Sequence, residues 1–148
     1  MLDLRQDASA AMLRCAGPDH GPSRGASAER LVLVVDDDAC TREAVVAGLE
    51  RSGFAVFEAA NGAAALDVLR RGFVPRVIVL DLMMPVMDGA EFRRRQLADP
   101  ALAAIPVVVV SADARASRLA GTPGVHAVLV KPVDLDDLLH AIERASGR

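Results

Sequence analysis

Five polar side chains stand where four apolar runs stop. Leu31-Val32-Leu33-Val34-Val35 runs into Asp36-Asp37, and Val77-Ile78-Val79-Leu80 runs into Asp81. Ile105-Pro106-Val107-Val108-Val109-Val110 ends in Ser111, and Val125 to Val130 ends in Lys131. If these ends meet, three carboxylates share one pocket with an ammonium and a hydroxyl. Two carboxylates ~4 Å apart repel by roughly 4 kcal/mol at an effective dielectric near 20. Such a pocket needs a cation, and hard oxygen ligands with room for waters and a phosphate describe Mg²⁺. Lys131 would then hold a phosphoryl oxygen and Ser111 would donate a hydrogen bond to another. Asp81 is the candidate reactive carboxylate. Of 17 basic residues Lys131 is the one lysine, a compact point charge in a chain that otherwise uses the planar fork of Arg.

The elements between these positions decide whether the ends meet. Short apolar runs bounded by turn signals read as strands buried on both faces. Thr41 to Gly53 reads as a helix, with Val45, Val46 and Leu49 inward and Asp38 as a candidate N-cap. Ala55 to Ala59 is a weaker strand suited to a sheet edge. Asn61 caps a helix whose Ala65, Leu66 and Leu69 face inward, closed by Arg70-Arg71-Gly72. Pro85 and Asp88-Gly89 break the chain after Asp81, and a helix runs through Phe92 to Leu97. A short helix spans roughly Ala114 to Ala120. Asp134 caps the last helix, with Leu135, Leu138, Leu139 and Ile142 at i, i+3, i+4 and i+7. The order is (βα)5, an α/β doubly wound fold with a five-stranded parallel sheet covered on both faces. Parallel strands present their carboxyl ends at one edge, where ligands bind in open α/β sheets.

Composition bounds the rest. The chain has 148 residues, suited to one domain, and is 52% hydrophobic and 25% charged. A net charge of -3 is too mild to suggest nucleic-acid binding. No apolar run approaches the ~20 residues of a membrane span. Asp3, Arg5 and Asp7 interrupt any signal-peptide core. Cys15 and Cys40 form no metal or redox spacing, and a structural disulfide is not expected, so a cytoplasmic, reduced setting fits. Residues 1–29, punctuated by Gly17-Pro18, Gly21-Pro22 and Gly25, read as a flexible N-terminal extension, and 30–148 as the domain. His126 and His140 are expected on the surface. Met83, Met84 and Met87 are expected to pack, and Arg93-Arg94-Arg95 to form a solvated helix face.

The four strand-end pieces taken together carry a resemblance. Val34-Val35-Asp36-Asp37, Leu80-Asp81-Leu82-Met83-Met84-Pro85 with Asp88-Gly89, Ser111-Ala112 and Lys131-Pro132 fall in order across residues 31–146. In this the chain resembles a response-regulator receiver domain of two-component signalling, of the stand-alone CheY-like type. The resemblance implies the flavodoxin-like strand order 2-1-3-4-5. It implies that Asp81 accepts a phosphoryl group from a phosphohistidine on a histidine kinase or histidine phosphotransfer protein. Asp36, Asp37, Asp81 and the backbone carbonyl of Met83 would hold Mg²⁺, Lys131 would bridge to the aspartyl phosphate, and Ser111 would shift to bond it. The shift would remodel the face made by the fourth helix, fifth strand and fifth helix, where an output partner would bind. The Lys131-Pro132 bond is expected to be cis.

Some positions depart from the family. The site of a switch aromatic, three residues before the Lys, is Val128, and the residue after Pro132 is Val133 where Phe is common. Two rival functions follow. One is a degenerate receiver that binds partners without phosphorylation. The other is a Mg²⁺-dependent phosphatase with an aspartyl-phosphate intermediate. The haloacid-dehalogenase type of phosphatase needs a second Asp two residues on, and that position is Met83. The expected activity is therefore a phosphorylated switch rather than a turnover enzyme. The chain ends soon after the last helix, so output is expected to pass through partners, with a homodimer on the same face as an alternative.

Overall fold

The computed structural model describes residues 30–84 and 86–146. Five strands alternate with helical segments: β1 (Leu31–Val35), α1 (Ala39–Arg51), β2 (Ala55–Ala59), α2 (Gly62–Arg70), β3 (Val77–Asp81), α3 (Gly89–Ala98), β4 (Val107–Ser111), a 3₁₀ helix (Ala114–Leu119), β5 (Val125–Val130) and α4 (Leu135–Ala145). All strands pair in parallel, in the order β2-β1-β3-β4-β5. This is the doubly wound sheet that the apolar runs imply. The central strands β3 and β4 are buried at every residue, as strands covered on both faces must be. The extension, residues 1–29, lies outside the described residues, and Cys15 with it.

Two apolar clusters fill the two sides of the sheet. Leu33, Ile78, Leu80, Val107 and Val109 pack with α2 and Phe92 of α3. Val32, Val34, Val77, Val79 and Val108 pack with Leu49 of α1 and with Leu138 and Ile142 of α4. The period of two along each strand sends alternate residues to opposite clusters. No described helix is long and apolar enough to cross a membrane.

Helix ends follow local chemistry closely. Asp38, Asn61, Asp88 and Asp134 each cap a helix with a side-chain oxygen that accepts from a backbone N–H. Because Asp38 is the cap, α1 begins at Ala39, two residues before the expected Thr41. It ends at Arg51, and Gly53 follows with φ +96°, a backbone that suits glycine. β4 begins at Val107 rather than Ile105. Pro106 has no N–H for a ladder, and its carbonyl accepts from Ile78 N at 3.0 Å.

One helix-face expectation fails. Arg93 is not part of a solvated face; it is 8% exposed. Gly89, Phe92, Arg93 and Gln96 recur at i, i+3, i+4 and i+7 and together form the buried stripe of α3. Arg93 Nη1 donates to Gln96 Oε1 at 2.6 Å, and its Nη2 donates to Pro123 O. Gln96 Nε2 donates to Leu102 O and Ile105 O, both at 3.0 Å. Burial pulls the Arg93 pKa down from its ordinary value, which these acceptors must offset. Arg94 and Arg95 do face outward, paired with Glu91. The network ties α3 to the loops that feed β4 and β5. Gln96→Ala orphans an arginine donor and the Ile105 carbonyl, while Leu102 O keeps the Ile105 N–H at 3.1 Å, so a loss of about 2–4 kcal/mol is expected in urea unfolding. A loss under about 1 kcal/mol would mean that water replaces the amide.

Candidate phosphoacceptor and metal site

The sheet register assembles the site. Val35 pairs with Leu80, which sets Asp36 beside Asp81. Asp81 pairs with Val110, and Ser111 with Val130, so Ser111 and Lys131 continue the same edge. Lys131 N donates to Ser111 O at 2.9 Å, and Asp36 N to Ala59 O at 3.1 Å, extending the ladders past the strand ends. Asp36, Asp37, Asp81, Ser111 and Lys131 thus stand at the carboxyl end of the sheet, although up to 95 residues separate them in the chain.

Asp36, Asp37 and Asp81 each offer a carboxylate oxygen, and these oxygens lie within 4.8 Å of one another. Asp36 and Asp81 are buried, while Asp37 faces solvent. Lys131 Nζ reaches Asp36 Oδ2 at 3.2 Å and Asp81 Oδ2 at 3.4 Å. The other oxygen of each buried carboxylate accepts from the backbone: Asp38 N to Asp36 Oδ1 at 2.9 Å, and Met83 N to Asp81 Oδ1 at 3.2 Å. Burial pushes the Asp81 pKa up from 3.8 to about 6, with the negative charge of Asp36 adding to the rise. The Met83 amide and the Lys131 ammonium oppose it. Burial alone would lower the Lys131 pKa, but its bonds to Asp36 and Asp81 reverse this and leave it raised. Three carboxylates and one ammonium leave a net deficit of two positive charges. Together with an exposed rim at Asp37, that donor set suits a divalent ion that keeps some waters.

The other candidate positions are placed as follows. Ser111 is fully buried, and its Oγ accepts from Asp113 N at 3.1 Å. Lys131-Pro132 is cis. Val128 is half-buried against the first core cluster, opposite Val109. Met84 is buried, whereas Met83 is 64% exposed and does not pack. Val86, 85% exposed, adopts φ 68°, a left-handed conformation that a β-branched residue rarely takes. A cavity of about 580 Å³ opens beside the acidic cluster, walled by Cys40, Ala44, Val45, Val133 and Leu138. Cys40 is a free thiol. His126 and His140 are exposed, as expected.

Two contributors escape a reading of the sequence, and Gly89, expected as a chain break and helix start, has a close-packing role besides. Gly89 sits where a Cβ would lie 2.7 Å from Leu82 Cα. Arg42 and Glu58 form an ion pair at 2.9 Å whose side chains are 13% and 5% exposed. The one signal for the pair is a carboxylate inside the apolar run Ala55-Val56-Phe57-Glu58-Ala59.

The response regulator receiver domain profile matches residues 32–143. The response regulator Rre1 of Synechocystis sp. is 39% identical over 110 residues, covering 72% of this chain and 47% of Rre1. The response regulator MprA of Mycobacterium sp. (strain KMS) is 38% identical over 112 residues, covering 73% of this chain and 46% of MprA. The chain therefore spans about half the length of these curated relatives. A crystal structure of a putative response regulator from Chloroflexus aurantiacus matches with TM-score 0.74 and 25% identity, covering 80% of this chain and 98% of that one. Strand order, the acidic edge and these matches agree, and the chain belongs to the response regulator receiver domain family of two-component systems.

Proposed function

We propose that Asp81 is the phosphoacceptor of a two-component phosphorelay, taking a phosphoryl group from a phosphohistidine on a histidine kinase or histidine phosphotransfer protein. The observation that carries this is the buried Asp81 carboxylate, contacted by the ammonium of Lys131 and neighboured by Asp36 and Asp37. Asp36, Asp37, Asp81 and the main-chain carbonyl of Met83 would hold Mg²⁺. Bound there, the ion would neutralise charge on the phosphoryl oxygens during transfer. An Asp81 oxygen attacks phosphorus, the bond from phosphorus to the donor imidazole nitrogen breaks, and the imidazole leaves as the neutral base after taking up a proton. Lys131 exchanges its contact with Asp81 for a phosphoryl oxygen, and Ser111 donates to another. The outcome is a covalent switch rather than turnover of a small substrate, acting in the cytoplasm.

The state of Asp81 would be read on the face made by the 3₁₀ helix, β5 and α4. Val128 occupies the place of an aromatic there, so Ser111 and the loop after it must carry the change without a ring rotation. A partner docked on that face is the expected output, with a homodimer as the other arrangement. Phosphorylation-independent binding is the competing mode.

Acetyl phosphate supplies the test. With Mg²⁺, intact-mass spectrometry is expected to show one added phosphoryl group, and chelation with EDTA should prevent it. No incorporation in the presence of Mg²⁺ would leave the degenerate receiver as the function. Continuous phosphate release from a small phosphomonoester would instead point to a phosphatase.

A further inference from the structure

The two aspartates after β1 sit in adjacent positions yet must face one cation together. Their carboxylates repel each other and that of Asp81, and Lys131 contacts only Asp36 and Asp81. Something has to fix the peptide that carries them. The carbonyl of Asp36 accepts from Arg42 Nη1 at 2.6 Å. The same guanidinium donates through Nε to Glu58 Oε1 at 2.9 Å. Arg42 lies in the first turn of α1, and Glu58 in β2 pairs in register with Val34 of β1. The contacts close a ring from β2 through α1 to the end of β1. Its guanidinium meets the carbonyl of Asp36, whereas Lys131 meets the carboxylate. A buried ion pair contributes little net stability, because desolvation offsets its Coulomb gain. Its placement on the backbone of Asp36 gives it another role.

We propose that Arg42, held in place by Glu58, is a positioning residue for the metal site: it fixes the peptide joining Asp36 to Asp37, so that both carboxylates present oxygens to one divalent ion. The inference rests on the reading of the acidic cluster as a Mg²⁺ site. Arg42 touches neither phosphate nor metal. It acts through the Asp36 carbonyl, and the planar fork is needed because two acceptors must be met at once.

For Arg42 the sign of the effect separates positioning from simple electrostatics; loss of the Glu58 charge weakens a cation site on either account, so Glu58→Gln is read through the double variant. Deleting a positive charge beside a cation site should tighten Mg²⁺ through space. Loss of positioning should weaken it. Titration calorimetry with Mg²⁺ on the wild-type chain, Arg42→Met, Glu58→Gln and the double variant reads this directly. Each single change is expected to raise Kd by about 10-fold or more, the range for groups that orient metal ligands. The double variant is expected to be no weaker than Arg42→Met, since Glu58 acts through Arg42. Arg42→Lys keeps the charge but not the fork and should also weaken binding. It serves in place of Arg42→Met if that variant fails to fold in urea titration. A folded variant with a Kd equal to or tighter than wild type overturns the proposal. A wild-type chain that takes up no Mg²⁺ overturns the metal reading and the proposal together.

Discussion

Replacing Asp81 with Asn is expected to do two things of opposite sign: abolish phosphoryl incorporation and stabilise the metal-free chain. The first follows because the amide lacks the nucleophilic oxygen charge, and Asp36, the other carboxylate against Lys131, is read as a metal ligand. The second follows from the raised pKa. Burial and the neighbouring charge of Asp36 lift Asp81 from 3.8 to about 6. The fold therefore prefers the protonated form. A group whose folded pKa is raised contributes its stability fully below the unfolded pKa, near 4, and loses it as pH rises through about 6. Above that, the ionised carboxylate costs on the order of 1–3 kcal/mol in the absence of metal. Asn keeps the shape and removes the charge. Urea midpoints of the two proteins should lie close at about pH 4 and separate in favour of Asn by about pH 7.5. Adding Mg²⁺ should then raise the wild-type midpoint more than that of Asn, which keeps the carboxylates of Asp36 and Asp37 but loses the third. Wild type more stable than Asn in EDTA at neutral pH would show that Lys131 and the Met83 amide outweigh burial.

The second large effect is expected at Gly89. Its N–H donates to Leu82 O at 2.9 Å, which pins the start of α3 against the residue that follows Asp81. A methyl group there would meet Leu82 Cδ2 at 2.6 Å, Leu82 Cα at 2.7 Å and Asp81 O at 3.0 Å. A flexible side chain can move away, but two of these atoms are backbone. Gly89→Ala must therefore push α3 off the end of β3 or shift the Asp81-Leu82 peptide. Overpacking of this kind costs about 1–3 kcal/mol. The functional loss should be larger than the stability loss suggests, because displacement by about 1 Å can lower a rate ~100-fold. Phosphorylation by acetyl phosphate is expected to fall at least 10-fold in protein that remains folded. Wild-type rates in Gly89→Ala would mean that the loop absorbs the methyl without moving Asp81. The left-handed Val86 in the same loop shows that this segment already holds an unfavourable backbone.

Legibility differed by residue type. The apolar runs announce five strands because a strand covered on both faces admits almost no polar side chain. The Asp, Asn and Gly punctuation announces helix ends because caps depend on neighbours two or three residues away. Arg93 and Gln96 were hidden, since a run of three arginines in sequence splits across two helix faces at 3.6 residues per turn. Their acceptors at Leu102, Ile105 and Pro123 lie in loops that no local pattern brings near. Arg42 and Glu58 were hidden for the same reason: an ion pair across 16 residues has no periodicity. The 3₁₀ helix Ala114–Leu119 was anticipated only as a short helix.

The sequence by itself determined the order of elements, the doubly wound sheet and the five polar side chains at its carboxyl edge. It could do so because solvent exclusion from a parallel sheet writes continuous apolar runs and confines charge to their ends. The tertiary structure alone decided the distances: Lys131 at 3.2 and 3.4 Å from two carboxylates, three carboxylates within 4.8 Å, and a guanidinium locking the backbone between two of them. Those depend on strand register and on contacts between residues far apart in the chain. Desolvation and Coulomb forces, which set the pKa of Asp81, act only once that geometry exists.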